Sequence, residues 1–287
     1  HLVANQAIRR AAFKAVAECA DVQLRCETSV RAIRHHPREV ELELVDGESL
    51  RTRLLVAADS RFSETRRQLG IGARLKDFGK TMLVCRMRHD KPHQQVAWEW
   101  FGYGQTLALL PLNGNQSSVV LTLPPREIER LRELDEDAFA REMEQRFDRR
   151  LGAMQLVSTR RAYPLVGAYA ERLVGPRCAL LGDAAVGMHP VTAHGFNFGL
   201  GSVQRLSAAV LAAKARREDI AAPAVLARYA RQHRLATWPL YQATNLLVDV
   251  YTDDRLPLKL LRGAGLRVAQ GLLPLKKGIA RHLTSPG

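Results

Sequence analysis

The stretch Arg177 to Val203, RCALLGDAAVGMHPVTAHGFNFGLGSV, decides the reading of this chain. Cys178 to Leu181 is a short apolar run, the pattern of a buried strand, and it stops at Gly182-Asp183. In open α/β sheets, ligands bind at the carboxyl ends of strands. Gly182 lacks a Cβ and so permits close approach of another backbone or a ligand. Asp183 supplies a carboxylate that accepts hydrogen bonds from sugar-like hydroxyls. Pro190 stiffens the loop that follows. Gly195-Phe196-Asn197 then opens a helix whose first N–H groups lack intrahelical partners, so that end favours negative charge. The alternative is a plain turn and helix cap at Gly182-Asp183, with His189 and His194 as hydrogen-bonded loop residues.

On either side of this unit the pattern alternates between strand and helix. Residues 4–18 carry Ala7, Ala11 and Ala15 at helical spacing. Strand-like runs follow at Val22 to Cys26, Ser29 to Arg34 and Glu39 to Val45. In the last, Val40, Leu42 and Leu44 alternate with Glu39, Glu41 and Glu43, which predicts one buried and one wet face. Asp46-Gly47 is a hairpin signal. Leu50 to Ala57 reads as the next strand, and its apolar end predicts cover on both faces. Residues 76–123 are strand-rich, with Thr106 to Leu112 and Ser117 to Leu123 flanking the turn Asn113-Gly114. Residues 124–150 read as charged helix, followed by a strand near Gln155 to Tyr163. From about Phe196 onward the chain is mostly helical. The class is α+β with an α/β nucleotide-binding element, not a bundle or a sandwich.

The chain has 287 residues, enough for one large domain or two smaller ones. Hydrophobic residues make up 46% and charged residues 25%, a globular composition. No apolar run reaches the ~18 residues of a membrane span, and the first residues lack the pattern of a signal peptide. The cysteines, Cys19, Cys26, Cys85 and Cys178, form no C-x-x-C pair and no zinc spacing. They fit a reducing cytoplasm, and no metal site is expected. A net charge of +14 favours anionic partners. The basic residues are spread through the helices without an RNP-type aromatic motif, which argues against nucleic acid. Residues 255–281 mix leucines with Lys259, Arg262, Arg267, Lys276 and Lys277. That mix suits an interfacial helix on anionic lipid, which would set a cytoplasmic protein peripherally on the inner membrane, or equally a solvated amphipathic helix.

The stretch from Gly182 to Asn197 resembles the second flavin-binding motif of class A flavoprotein monooxygenases, and in particular of the ubiquinone-biosynthesis hydroxylases. Gly182, Asp183, Ala184, Ala185, Pro190, Gly195 and Asn197 match that pattern, while Val186, Ala193 and His194 depart from it. Leu55 to Arg66, LVAADSRFSETR, resembles the family's middle motif, with Ala58, Asp59, Ser63 and Arg66 matching and Ala57 and Ser60 in place of glycines. Read from the residues alone, Asp59 caps a helix, and Arg61, Arg66 and Arg67 are phosphate forks or solvated arginines. Leu2 to Ala12 resembles the family helix that touches the cofactor, with Asn5 near the contact, and Trp238 to Asp254 resembles the family's helical end.

The resemblance implies FAD as cofactor and NAD(P)H as electron donor. Dioxygen would be the oxygen source, and a prenylated phenol or quinol the substrate. It implies that Asp183 holds a ribityl hydroxyl, and that the backbone from Gly195 through Phe196 to Asn197 faces the pyrimidine edge of the flavin. His189 and His194 become candidate proton relays, and Trp98, Trp100, Phe101 and Tyr103 candidate lining for a substrate pocket. It also implies a layout in which 1–75 and 166–287 are parts of a Rossmann-like FAD-binding domain. A β-rich substrate domain is inserted at 76–165, and a helical tail ends the chain. No G-x-G-x-x-G opens a βαβ unit here; Gly70-Ile-Gly72 and Gly199-Leu-Gly201 lack the third glycine. The expectation is therefore a chain without its diphosphate-binding segment, with weak or no FAD binding and an exposed sheet edge that invites association. Whether such a chain is itself an enzyme stays open. A halogenase or prenyl reductase of the same superfamily is a further reading. So is a cofactor-free module that docks on lipid or on ubiquinone-pathway proteins.

Overall fold

The computed structural model describes residues 3–102, 104–190 and 195–252. Helix α1 (Asn5–Ala17) opens the chain and buries none of its residues. Strands β1 (Val30–His35), β2 (Val40–Leu44) and β3 (Ser49–Thr52) form an antiparallel meander. The glutamate alternation explains it: Val40 and Leu44 are buried, while Glu43 pairs with Arg34 at 2.6 Å on the wet side. Strand β4 (Leu55–Ala57) leads to the short helix α2 (Glu64–Gln68).

The long β5 (Ala73–His89) runs through the middle of a seven-stranded sheet. Its neighbours are β6 (Trp98–Gly102), β7 (Gln105–Pro111), β8 (Gln116–Leu123), β9 (Met154–Leu156), β10 (Arg161–Ala170) and β13 (Val186–Gly187). Along β5, Leu83, Cys85 and Met87 are buried and Arg86 and Arg88 exposed, the period of two expected of a sheet with one covered face. Helices α3 (Pro125–Glu133) and α4 (Glu136–Arg146) cover that face with Ile128, Leu131, Phe139 and Met143.

A second core surrounds a three-stranded sheet of β11 (Val174–Gly175), β12 (Cys178–Leu180) and β4. Helices α6 (Gly195–Ala215) and α7 (Pro223–Thr252) pack on it through Leu206, Ala209, Ala213 and Tyr229. The four-residue helix α5 (Gly182–Ala185) joins β12 to β13.

Several expectations change. Val22 to Cys26 forms no strand; Val22 and Leu24 are 48% and 52% exposed, and the run has no ladder partner among the described residues. Leu50 to Ala57 breaks at Arg53-Leu54, because the chain leaves the β1–β3 meander there and joins a different sheet. Its second half is not covered on both faces, since Val56 is 39% exposed. The charged segment 124–150 splits into two helices where Asp135 caps Ala138 N–H at 2.6 Å. Trp98 stacks on Trp100, and Trp100 packs against Phe147 of the helix-covered core, with the Arg150 guanidinium 5.4 Å from each tryptophan ring centre. They therefore do not line the open face. The Phe101 side chain, Tyr103, His194 and residues 255–281 lie outside the described residues. Among the described residues, no helix is long and apolar enough to cross a membrane, and no His, Cys, Asp and Glu cluster could hold a metal.

Candidate functional site

Strands β4 and β12 run parallel, with Leu180 opposite Ala57, so both end at the same edge of their sheet. That register places two segments from distant parts of the chain side by side: Ala58 to Ser60 and Leu181 to Asp183. The Leu181 N–H donates to the Ala57 carbonyl at 2.8 Å and closes the pair. At the tip, Gly182 adopts φ +55, a conformation costly for any residue with a side chain. Its N–H donates to Ser202 Oγ at 3.1 Å, and Ser202 in turn donates to the Gly199 carbonyl at 2.6 Å. The Tyr229 hydroxyl, buried beneath, donates to the Leu180 carbonyl at 2.5 Å. Helices α6 and α7 thus clamp the strand end. A Cβ built on Gly199 would lie 3.7 Å from the Gly182 Cα. Asn197, two residues earlier, stands about 3 Å further along the helix axis. The Asp183 segment and the Asn197 turn therefore share one side of the molecule.

The second segment is wired inward. Asp59 accepts from Ser63 Oγ at 2.5 Å and from the Thr65 N–H at 3.2 Å, and Ser63 Oγ caps the Arg66 N–H at 2.9 Å. Arg66 is buried, and its guanidinium donates to the carbonyls of Ala184 at 2.9 Å and Arg61 at 3.0 Å. Burial pushes its pKa down, partly offset by Asp59. Arg67 turns outward to Glu64. Arg61 donates to the Val166 carbonyl at 2.9 Å and to Asp183 Oδ2 at 3.0 Å. In sequence these three arginines form one group; the fold gives each a different partner, and nothing in their spacing shows that Arg61 is the one that meets Asp183.

His189 is buried beside this pair, edge-on to Phe78 with ring centres 4.7 Å apart. Burial, followed by the charges of Lys76 and Arg61, lowers its pKa to about 4, so the ring is neutral at pH 7. Lys76 is itself held by Asp249 at 2.5 Å. Pro190, Phe196 and Asn197 are exposed along the same loop and helix start, and Asn5 is exposed at the start of α1. Two open surface concavities of about 360 and 510 Å³ share Arg132, Thr159 and Arg160. They lie at the Arg161 end of β10, roughly 25 Å along the strand from Tyr169. Arg160 there is already spent on the Leu131 and Leu134 carbonyls, so the strand tips are the better site.

The groups at those tips suit a flavin nucleotide. Asp183 is 36% exposed with one oxygen held by Arg61, which leaves acceptor capacity for a polyol hydroxyl. A Cβ at Gly182 or Gly195 would meet nothing within 4 Å, so both positions face open space. The start of α6 offers N–H donors to the carbonyl and ring-nitrogen acceptors of a ring edge that gathers negative charge.

A family model described as the FAD binding domain matches residues 2–244, and the chain belongs to that family. The class expected from the two motifs is the class found. Among relatives, ubiquinone hydroxylase UbiM of Neisseria meningitidis is 44% identical over 284 residues, covering 99% of this chain and 62% of that protein. Ubiquinone hydroxylase UbiL of Rhodospirillum rubrum is 35% identical, covering 98% of this chain and 66% of that protein. The chain thus spans a little under two thirds of the length of these curated relatives. Among solved structures, p-nitrophenol 4-monooxygenase PnpA of Pseudomonas putida superposes with a TM-score of 0.77 at 18% identity, covering all of this chain and 74% of that one. Klebsiella pneumoniae HpxO, complexed with FAD and uric acid, gives 0.72 at 21% identity, covering 92% of this chain and 68% of that one. At these identities the likeness shows the fold, a mixed α/β flavoprotein monooxygenase architecture.

Proposed function

We propose that this chain serves in FAD-dependent hydroxylation of the aromatic ring of a prenylated phenol or quinol in ubiquinone biosynthesis, with NAD(P)H and dioxygen as co-substrates. The observation that carries the reading is the 44% identity to ubiquinone hydroxylase UbiM over 284 residues, a length that takes in the strand-tip site. Bound FAD supplies the redox and oxygen-transfer chemistry. Asp183 accepts a hydrogen bond from a ribityl hydroxyl. The start of α6 donates toward the pyrimidine edge, where its dipole favours negative charge. His189 is a neutral ring at pH 7 that packs the site, with one ring nitrogen a donor and the other an acceptor.

The substrate wall is the uncovered face of the large sheet, within a substrate domain at 76–165 set between flavin-holding segments at 1–75 and 166–287. Met82, Val84 and Val120 are half-buried there and offer an apolar surface to a ring and its prenyl chain. The basic, leucine-rich segment 255–281 is assigned to the membrane surface, where such a substrate resides.

The test is an absorbance spectrum of the purified protein, followed by NAD(P)H oxidation with a prenylated phenol and mass analysis of the product. The reading expects flavin bands, substrate-stimulated oxidation and a product heavier by one oxygen atom. A colourless protein that gains no flavin bands on incubation with FAD contradicts it.

A further inference from the structure

We infer that Arg61 is the positioning residue for the carboxylate of Asp183, a conclusion that rests on the FAD reading above. Its side chain joins three segments distant in sequence. Nη1 donates to the Val166 carbonyl on β10 at 2.9 Å, and Nη2 donates to Asp183 Oδ2 at 3.0 Å. Its own carbonyl accepts from the buried Arg66 at 3.0 Å, so backbone and side chain are both fixed. Val166 follows the register shift between Pro164 and Val166 in the β10–β5 ladder. A planar guanidinium can serve two acceptors in this way; a lysine ammonium is a point charge without the fork.

The neighbouring strand is shaped for this side chain. A Cβ built on Gly187 would fall 2.9 Å from the Arg61 Cβ, so any larger residue on β13 displaces the arginine. Arg61 and Asp183 are 29% and 36% exposed, which places the pair at the rim of the site, within reach of a ligand. An ion pair at such exposure adds little to folding stability. Its effect is on the site: with Oδ2 held, the carboxylate presents its remaining acceptor positions in one orientation, and a ligand hydroxyl need not immobilise it on binding. The same guanidinium ties the large sheet to the strand tip.

The test is a fluorescence titration of the flavin-stripped full chain with FAD, for wild type, Arg61→Gln, Arg61→Lys, Asp183→Asn and the double variant Arg61→Gln/Asp183→Asn. Losing one charge-assisted hydrogen bond is expected to weaken FAD binding about tenfold in Arg61→Gln. The thermal midpoint of the flavin-free protein should stay within about 2 °C of wild type. Arg61→Lys should recover part of the affinity. The double variant should bind no more weakly than Asp183→Asn alone, because the two residues act as one unit. Wild-type affinity in Arg61→Gln, or additive losses in the double variant, overturns the inference while leaving the FAD reading intact. A wild-type protein that binds no FAD overturns that reading, and this inference with it.

Discussion

The guanidinium of Arg66, 4% exposed, donates to the Ala184 carbonyl at 2.9 Å, across 118 residues of chain. The helix after β4 is thereby bolted to the strand tip that carries Asp183. Arg66→Met would take its guanidinium donors from the buried bond to the Ala184 carbonyl and from the partly buried one to the Arg61 carbonyl. Each such loss costs about 1–3 kcal/mol, so the variant should lose roughly 2 kcal/mol or more. Urea unfolding measures it; a loss below about 0.5 kcal/mol would mean that the bolt carries no load.

Acid should weaken the fold between about pH 6.5 and pH 4. His189 and His233 are buried, and each pKa is lowered from 6.5 to about 4, chiefly by burial. For His189 the charges of Lys76 and Arg61 add to the effect, and for His233 that of Arg205. The unfolded chain binds these protons first as pH falls. Stability is therefore complete above the unfolded value and is lost on the way down to the folded one. The ceiling is about 3 kcal/mol per histidine. Urea midpoints at neutral and acid pH should show the drop, and His233→Gln should flatten it. An equal drop in that variant would assign the acid sensitivity to other groups.

Gly187→Ala forces a methyl group to within 2.9 Å of the Arg61 Cβ. Overpacking of this kind costs about 1–3 kcal/mol, read as a lower thermal midpoint. A fully wild-type midpoint would show that β13 yields freely.

Trp100 is half-buried, 5.6 Å from the Phe147 ring on the helix-covered side of the sheet. Trp100→Ala should cost about 2–3 kcal/mol in unfolding experiments. The KM for the aromatic substrate should not change, since the side chain faces away from the proposed wall. A raised KM with unchanged stability would move the substrate to the other face.

What was legible in the sequence follows from range. The apolar run at Cys178 to Leu181 and the turn signals near Asn113-Gly114 are local, and the corresponding elements form. The helix cap is equally local, but it falls on Ser63, whose Oγ accepts from the Arg66 N–H, and not on Asp59, which accepts from Ser63 Oγ and the Thr65 N–H one step behind it. The parallel pairing of Leu55 with Cys178 is not, because no short-range pattern records which strand accepts which partner. Val22 to Cys26 looked like a strand because its residue types suit one, yet a strand needs a ladder partner. The tryptophans could not be assigned to a face until the sheet was known. Arg61, Arg66 and Arg67 have the same chemistry in sequence; only the fold buries one, exposes one and sets the third on Asp183.

The most direct test of the account is an experimental structure of the protein with FAD bound. The account predicts a ribityl hydroxyl within about 2.6–3.2 Å of an Asp183 carboxylate oxygen, with the flavin ring edge at the start of α6. A cofactor seated elsewhere, for instance in the concavity lined by Arg132 and Arg160, would contradict it.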